Sequence, residues 1–249
     1  MGDKGDGLGD RMKGYERASR VVLPRRMPVI VRVDGKGFHG VTKGCERPFD
    51  EHLMGLMNMT AIRLCHEAQG AVFGFVQSDE ISVLLHNYKR LQTDPWFDNE
   101  LQKIVSVAAG IASGFFTREW DAPVAFDARA FVLPESEVAN YFIWRQQDAT
   151  RNSIQMATRA LYSHAQVDEK NTSEMQEMMH AKGVNWNDYP VGCKRGRAIV
   201  RQPYEREGVT RHAWVVEPPP IFTQDRAYVE RHLAVEPDET SLTTAKEEG

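Results

Sequence analysis

Cysteine is scarce in this 249-residue chain: Cys45, Cys65 and Cys193 are few, far apart and odd in number. They offer neither a disulfide framework nor the paired spacing of a zinc site, and they point to a reducing, cytoplasmic setting. No run approaches the roughly 18 uninterrupted apolar residues of a membrane span, so no membrane partner is expected. The opening Met1-Gly2-Asp3-Lys4-Gly5-Asp6 has no apolar core of a secretion signal. A dominant charge of one sign is missing too. Net charge is −4 with a pI near 6.1, which taken alone argues against a grip on nucleic acid by bulk charge. Against these absences stand 41% hydrophobic and 27% charged residues, the balance of a soluble protein with a real core.

Charge is nevertheless patterned. Lys194, Arg195, Arg197, Arg201, Arg206 and Arg211 form one basic stretch, interrupted by Glu205 and Glu207. Arg11, Lys13, Arg17, Arg20, Arg25 and Arg26 form another. Either run is commonly a solvated face, and each raises the odds of a polyanion partner only slightly.

Residues 1–10 are rich in Gly and Asp and are expected to be mobile. Pro28 to Val33 is a β-branched run that ends at Asp34-Gly35, a strand entering a tight turn. Asp50 is placed as a helix N-cap, followed by apolar residues at helical spacing from Leu53 to Cys65. Ala71–Val76 and Ile81–Leu85 read as a hairpin around Gln77-Ser78-Asp79-Glu80. A second helix is expected after Asp98, a strand over 123–132, and a long helix from Glu135 to about Ser163. Strands return at 197–201 and 212–216. One domain is expected over 1–220, with an acidic tail from 221 to 249. The order strand, helix, hairpin, helix, strand suits an α+β fold: a palm-like (ferredoxin-like, split βαβ) antiparallel sheet with helices on one face.

Asp34 closes a strand and Asp79 sits at a hairpin apex next to Glu80. An aspartate before glycine is usually a turn residue. Together the two say more, because the first strand and the hairpin are neighbours in this layout. Carboxylates at adjacent strand ends can share hard cations. Two such ions, roughly 3.5–4 Å apart, activate a hydroxyl and neutralise a leaving pyrophosphate. Gly35 and Gly37 would let backbone N–H groups face a triphosphate. Lys36, His39, Lys43 and Arg47 are candidate phosphate contacts, though plain surface charge remains the favoured reading of Lys43. Phe73, Phe75, Phe115 and Phe116 are expected in the core rather than stacked on bases.

These residues resemble the tRNA(His) guanylyltransferase family, in particular its bacterial and archaeal guanylyltransferase-like branch of 3′–5′ polymerases. Gly9-Asp10-Arg11-Met12-Lys13, Arg32-Val33-Asp34-Gly35-Lys36-Gly37-Phe38-His39 and Gln77-Ser78-Asp79-Glu80-Ile81-Ser82 carry the likeness. Phe126-Asp127-Ala128-Arg129, Trp144-Arg145-Gln146-Gln147-Asp148 and Asn185-Trp186-Asn187 extend it to about residue 200. The resemblance implies a homotetramer that binds tRNA, NTP substrates and two Mg2+ ions, with ATP or GTP as activating nucleotide. Asp34, the Gly35 carbonyl and Asp79 would hold metal, with Glu80 at the catalytic centre beside them. Gly35, Lys36, Gly37, Phe38, His39, Arg47, Asp50, Ser78 and Asn185 would bind nucleotide. Arg129, Arg145, Lys194, Arg195, Arg197 and Arg201 would meet tRNA.

The chain departs from the eukaryotic pattern in one place. Where those members carry His-Ile-Asn-Asn-Leu-Tyr-Asn, this sequence has Thr150-Arg151-Asn152-Ser153-Ile154-Gln155-Met156. That favours template-dependent repair of 5′-truncated tRNA over fixed guanylate addition to tRNA(His). A palm-type nucleotide cyclase shares the carboxylates and the phosphate turn, but leaves the basic C-terminal stretch without a purpose.

Overall fold

A computed structural model of the chain describes residues 7–89 and 92–234. Residues 1–6 of the expected mobile start, and 235–249 of the expected acidic tail, lie outside the described residues.

Helix α1 (Leu8–Ala18) precedes strand β1 (Val29–Gly35), and a single-turn helix α2 (Phe38–Val41) follows the Asp34-Gly35 turn. Helix α3 (Glu51–Glu67) begins where its cap predicts, since the Asp50 carboxylate accepts the Leu53 amide. Strands β2 (Ala71–Gln77) and β3 (Glu80–Leu85) form the expected hairpin. Helix α4 (Leu101–Trp120) starts later than Asp98 suggests. Phe97, Asp98 and Asn99 adopt φ of 51°, 53° and 61°. The Asn99 amide donates to the carbonyls of Leu23 and Pro24. The chain therefore makes a left-handed coil against the N-terminal segment before helix can begin.

Strand β4 (Phe126–Val132) and the long helix α5 (Glu135–Arg159) follow, then three short helices: α6 (His164–Val167), α7 (Thr172–Ala181) and α8 (Val191–Arg195). Strands β5 (Arg197–Arg206) and β6 (Val209–Glu217) run longer than their apolar residues imply. Glu207 and Gly208, with φ of 56° and 72°, close a two-residue turn whose twist matches the ladder, so pairing continues to Arg206↔Val209. Helix α9 (Ala227–Glu230) lies beyond the prolines.

All six strands join one antiparallel sheet in the order β4-β1-β3-β2-β5-β6. The first four are the split βαβ core, and β5–β6 extend it past β2. Helices cover both faces, not one. Val29, Val31, Val33, Ile81 and Val83 face α3 and α4, packing on Met57, Leu64, Ile104 and Phe116. Ile30, Phe73, Phe75 and Leu84 face Val138 and Phe142 of α5. The strand runs are apolar on both sides of their two-residue period, so each face needs a cover. The segment after Pro220 supplies part of the second one: Phe222, Tyr228, Val229 and Leu233 are buried there. Each such side chain contributes about 1.5–3 kcal/mol by leaving water. A third cluster, Ile154, Ala157, Met175, Met179 and Trp186, anchors α7 to the end of α5.

Candidate active site

Pairing brings the acidic residues into one row. Asp34 on β1 lies opposite Glu80 on β3 and opposite Asp127 on β4. The Gly35 amide donates to the Asp79 carbonyl at 3.1 Å, and the Lys36 amide to the Ala125 carbonyl at 2.8 Å. These bonds fix the end of β1 against the hairpin and against the approach to β4. They also occupy two amides that the Gly-x-Gly turn was expected to offer a phosphate, leaving Gly37, Phe38 and His39. Gly35 is required sterically, because a Cβ there would come within 2.1 Å of the Phe38 ring. That ring belongs to the core, edge-on to Phe116 and Phe126 at 5.4 and 5.2 Å. Only the backbone of Phe38 is left for a ligand. Lys36 and His39 are exposed at this turn, and Arg47 is exposed further along the chain, past α2.

Asp79 occupies the two-residue hairpin turn with Ser78, whose φ is 46°. Burial pushes the Asp79 carboxyl above its ordinary range, and the Asp34 charge adds to the rise; bonds from its own amide and from Ser78 pull the other way. A carboxylate destabilised by burial and by a like charge gains most from a cation. Among the described residues no group of three or more His, Cys, Asp or Glu could hold a metal by itself. Two aspartates and a backbone carbonyl still fit magnesium, which commonly takes one or two protein carboxylates and fills its shell with water and phosphate oxygens.

Glu80 is placed differently from its neighbour. It is buried, with Oε1 accepting from Arg145 Nε at 2.8 Å and Gln77 Nε2 at 3.3 Å; its Oε2 lies 3.9 Å from Arg32 Nε. Arg145 in turn donates to Asp148 at 2.6 Å, and Asp148 accepts from Arg151 at 2.7 Å. Desolvation raises Glu80, while Arg145, Gln77 and Arg32 draw it back. Its carboxylate is committed to this chain of ion pairs between β3 and α5. Those pairs tie the hairpin to α5, while the Asp34 charge still reaches Glu80 from the neighbouring strand.

A cleft opens beside the Ser78 turn. Phe49, Leu53, Met54 and Met156 form apolar walls, and Asp50, Ser78, Asn152 and Arg197 are polar groups on it. Asp50 spends both oxygens on the amides of Leu53 and Glu46, at 2.8 and 2.9 Å. These bonds hold it below the usual carboxylate range. Asn185 is exposed away from the cleft lining, where its side chain caps a turn by accepting the Asn187 amide at 3.0 Å. The following Trp186 reaches back, donating Nε1–H to Ser153 Oγ at 3.1 Å.

Of the six basic residues expected at RNA, three are buried. Arg145 is in the Glu80 network; Lys194 donates to the Asn187 carbonyl; Arg197 donates to Asn58 and Gly192. A side chain enclosed by its own chain cannot meet a phosphate backbone. Arg129 and Arg201 are exposed and Arg195 half-buried, with Arg129 in a 3.4 Å ion pair with Asp127. Asp127 was not among the expected site residues, although Phe126-Asp127-Ala128-Arg129 held the signal.

An antiparallel split-βαβ sheet, with two aspartates at neighbouring strand ends beside an open cleft with apolar walls, has the layout of a polymerase palm. The family model described as tRNA(His) guanylyltransferase matches residues 9–134. The tRNA(His) guanylyltransferase of Schizosaccharomyces pombe is 30% identical over 79% of this chain and 81% of its own. The tRNA(His) guanylyltransferase 2 of Arabidopsis thaliana is 29% identical over 81% of this chain and 40% of its own. Among solved structures, a bacterial tRNA(His) guanylyltransferase-like protein in complex with ATP is 47% identical. It matches with a TM-score of 0.85 over 92% of this chain and 99% of that one. A complex of a bacterial protein of this kind with GTP matches with a TM-score of 0.82, also at 47% identity, over 91% and 98%. The chain belongs to the tRNA(His) guanylyltransferase family, and it is a nucleotidyltransferase-like enzyme of that family.

Proposed function

We propose that this enzyme adds nucleotides to the activated 5′ end of tRNA, in the 3′–5′ direction, as a template-dependent repair of truncated ends. The observation that carries the reading is the junction of Asp34 and Asp79, tied by the Gly35 amide, with the cleft opening directly beside Ser78. Asp34, Asp79 and the Gly35 carbonyl would hold two magnesium ions. Bound there, magnesium supplies neutralisation of phosphate charge and a lowered pKa for the attacking hydroxyl.

The chain's own residues account for the rest. The exposed Lys36, His39 and Arg47 would meet the triphosphate, and the apolar walls of the cleft would exclude water from a nucleoside. The 3′-hydroxyl of the incoming nucleotide attacks the activated 5′ phosphate, and pyrophosphate or AMP leaves. ATP or GTP as activating nucleotide agrees with the complexes formed by the bacterial relatives.

Templating is supported by the run that departs from the eukaryotic pattern. Asn152, the one asparagine kept in register, lines the cleft, and so do Ser153 and Met156, which replace asparagines of that run, so the altered positions stand where they would meet a nucleotide. Base pairing is then left to choose the nucleotide. For tRNA, the exposed Arg201, Arg206 and Arg211 on the β5–β6 ribbon offer backbone contacts that need no sequence. A homotetramer is supported by α1, which has no buried residue and exposes Leu8, Met12 and Tyr15. Three unpaired thiols suit a cytoplasmic enzyme, and among the described residues no helix is long and apolar enough to cross a membrane.

The test is extension of a 5′-monophosphorylated tRNA lacking its first nucleotide, with ATP, magnesium and each NTP separately. Addition only of the complementary nucleotide is expected. Addition of G whatever the template would replace repair with fixed guanylate addition.

A further inference from the structure

Among the described residues, two buried polar atoms of cleft-lining side chains have no partner. Arg197 donates Nε–H to Asn58 Oδ1 at 2.6 Å and Nη1–H to the Gly192 carbonyl at 3.2 Å, yet its Nη2 bonds to nothing among the described residues. Gln77 donates Nε2–H to Glu80 and Asp148, at 3.3 and 3.4 Å, while its Oε1 accepts nothing. Both side chains line the same cleft. Unpaired buried donors and acceptors are rare in folded chains because each forfeits its bonds to water. One of each at a single cleft calls for a ligand that supplies both complements.

The pair narrows what that ligand is. A phosphate group brings acceptors only, so it leaves Gln77 Oε1 unpaired. The surrounding walls, Phe49, Leu53, Met54 and Met156, suit a flat apolar ring. A nucleobase has such a face and carries ring acceptors and N–H donors side by side on its edge. We propose that Arg197 and Gln77 read the base of the nucleotide bound in this cleft, Nη2 donating to a base acceptor and Oε1 accepting from a base N–H. Arg197 is then a base-contacting residue that distinguishes a nucleotide from a bare triphosphate while template pairing chooses among bases, and its burial serves the nucleotide instead of the RNA backbone.

Asn58 and the Gly192 carbonyl fix the guanidinium plane before the ligand arrives. The aliphatic part of the side chain is fixed as well, because a Cβ on Gly192 would come within 3.1 Å of Arg197 Cγ. Preorganisation of this kind lowers the entropy lost on binding.

The inference rests on the reading that a nucleotide occupies the cleft, so its test omits RNA and compares four probes in magnesium by calorimetry: ATP, GTP, ribose 5′-triphosphate and inorganic tripolyphosphate. In the unaltered protein, ribose 5′-triphosphate is expected to bind about ten- to a hundredfold more weakly than ATP or GTP. Arg197→Lys and Arg197→Met are expected to weaken ATP and GTP by a similar factor, with tripolyphosphate changed less than about twofold. Equal binding of ribose 5′-triphosphate and ATP by the unaltered protein would overturn the inference, without any variant having to fold. Equal loss of tripolyphosphate and nucleotide in correctly folded variants would overturn it too, and would assign Arg197 to the triphosphate instead of the base. In both cases the nucleotidyl-transfer reading survives. Failure of the unaltered protein to bind any of the four probes would overturn both.

Discussion

The Gly35 amide donates to the carbonyl of Asp79 at 3.1 Å, so the end of the first strand and the apex of the hairpin are one structural unit. Asp34 and Asp79 are held together by that bond, not merely by proximity in the sheet. The geometry requires glycine at 35, since a Cβ would overlap the Phe38 ring at 2.1 Å. Gly35→Ala is expected to cost about 1–3 kcal/mol of stability through forced repacking of Phe38. It should also lower transfer activity by separating the two aspartates. A denaturant midpoint and a transfer rate, measured on the same preparation, check both.

Asp79 should trade stability for function. Its carboxyl is pushed up by burial and by Asp34, so the folded pKa exceeds the ordinary 3.8. The sign follows from linkage. Stability from this group is fully present below 3.8 and is lost as pH rises through the folded value. Metal-free protein at neutral pH therefore carries the strain, and magnesium should relieve it. Asp79→Asn is expected to raise the melting temperature in EDTA and to remove the stabilisation by magnesium. Its transfer rate should fall on the order of a thousandfold, several kcal/mol of transition-state stabilisation. Melting curves with and without magnesium decide the first two points.

The Glu80–Arg145 pair is enclosed, with side chains 10% and 6% exposed. Arg145→Met leaves a carboxylate buried without its partner and is expected to cost about 3–5 kcal/mol. The double variant Glu80→Gln with Arg145→Met should recover part of that loss, because the unpartnered buried carboxylate is gone, while Asp148 keeps Arg151 and Arg32 loses its 3.9 Å pair. A double-mutant cycle by denaturant unfolding measures the coupling. Absence of recovery would mean that Arg145 acts mainly through packing on Trp144, whose ring its guanidinium covers at 4.1 Å.

The C-terminal segment carries an acid-sensitive contact. His232 stacks on Phe73 at 4.9 Å, and burial together with the Arg231 charge pulls it down to about 4 from 6.5. The folded state therefore holds the ring neutral, and its contribution is present above pH 6.5 and lost as pH falls toward 4. Across that window stability should fall by up to about 1.4 kcal/mol per pH unit from this one proton. His232→Gln should flatten the slope, which unfolding curves at several pH values report directly.

Much of this was legible in the sequence, and the parts that were not share a physical cause. Asp50, Asp34-Gly35 and the Ser78-Asp79 turn are local signals, and the structure places each as read. Helix α5 was legible as a helix but not as the cover of the second sheet face, because period alone does not say which face an element buries. Arg145, Lys194 and Arg197 read like any exposed basic run, since a charge buried by distant partners leaves no mark on its neighbours in sequence. The delayed start of α4 depends on Asn99 bonding to Leu23 and Pro24, contacts 76 and 75 residues away. Residues 221–234 looked like part of the acidic tail because the exposed Asp225, Arg226, Glu230 and Arg231 are interleaved with the four apolar residues that pack, Phe222, Tyr228, Val229 and Leu233.

The most direct test of the central claim uses a tRNA that lacks its first nucleotide and carries a 5′-triphosphate, so that no activation step intervenes. Incorporation of the labelled complementary nucleotide, with magnesium, is followed for the unaltered enzyme and for Asp34→Asn. The account predicts one-nucleotide extension and stoichiometric pyrophosphate release by the enzyme, with neither detectable for the variant. Equal extension by Asp34→Asn, or none by the folded unaltered enzyme, would contradict it.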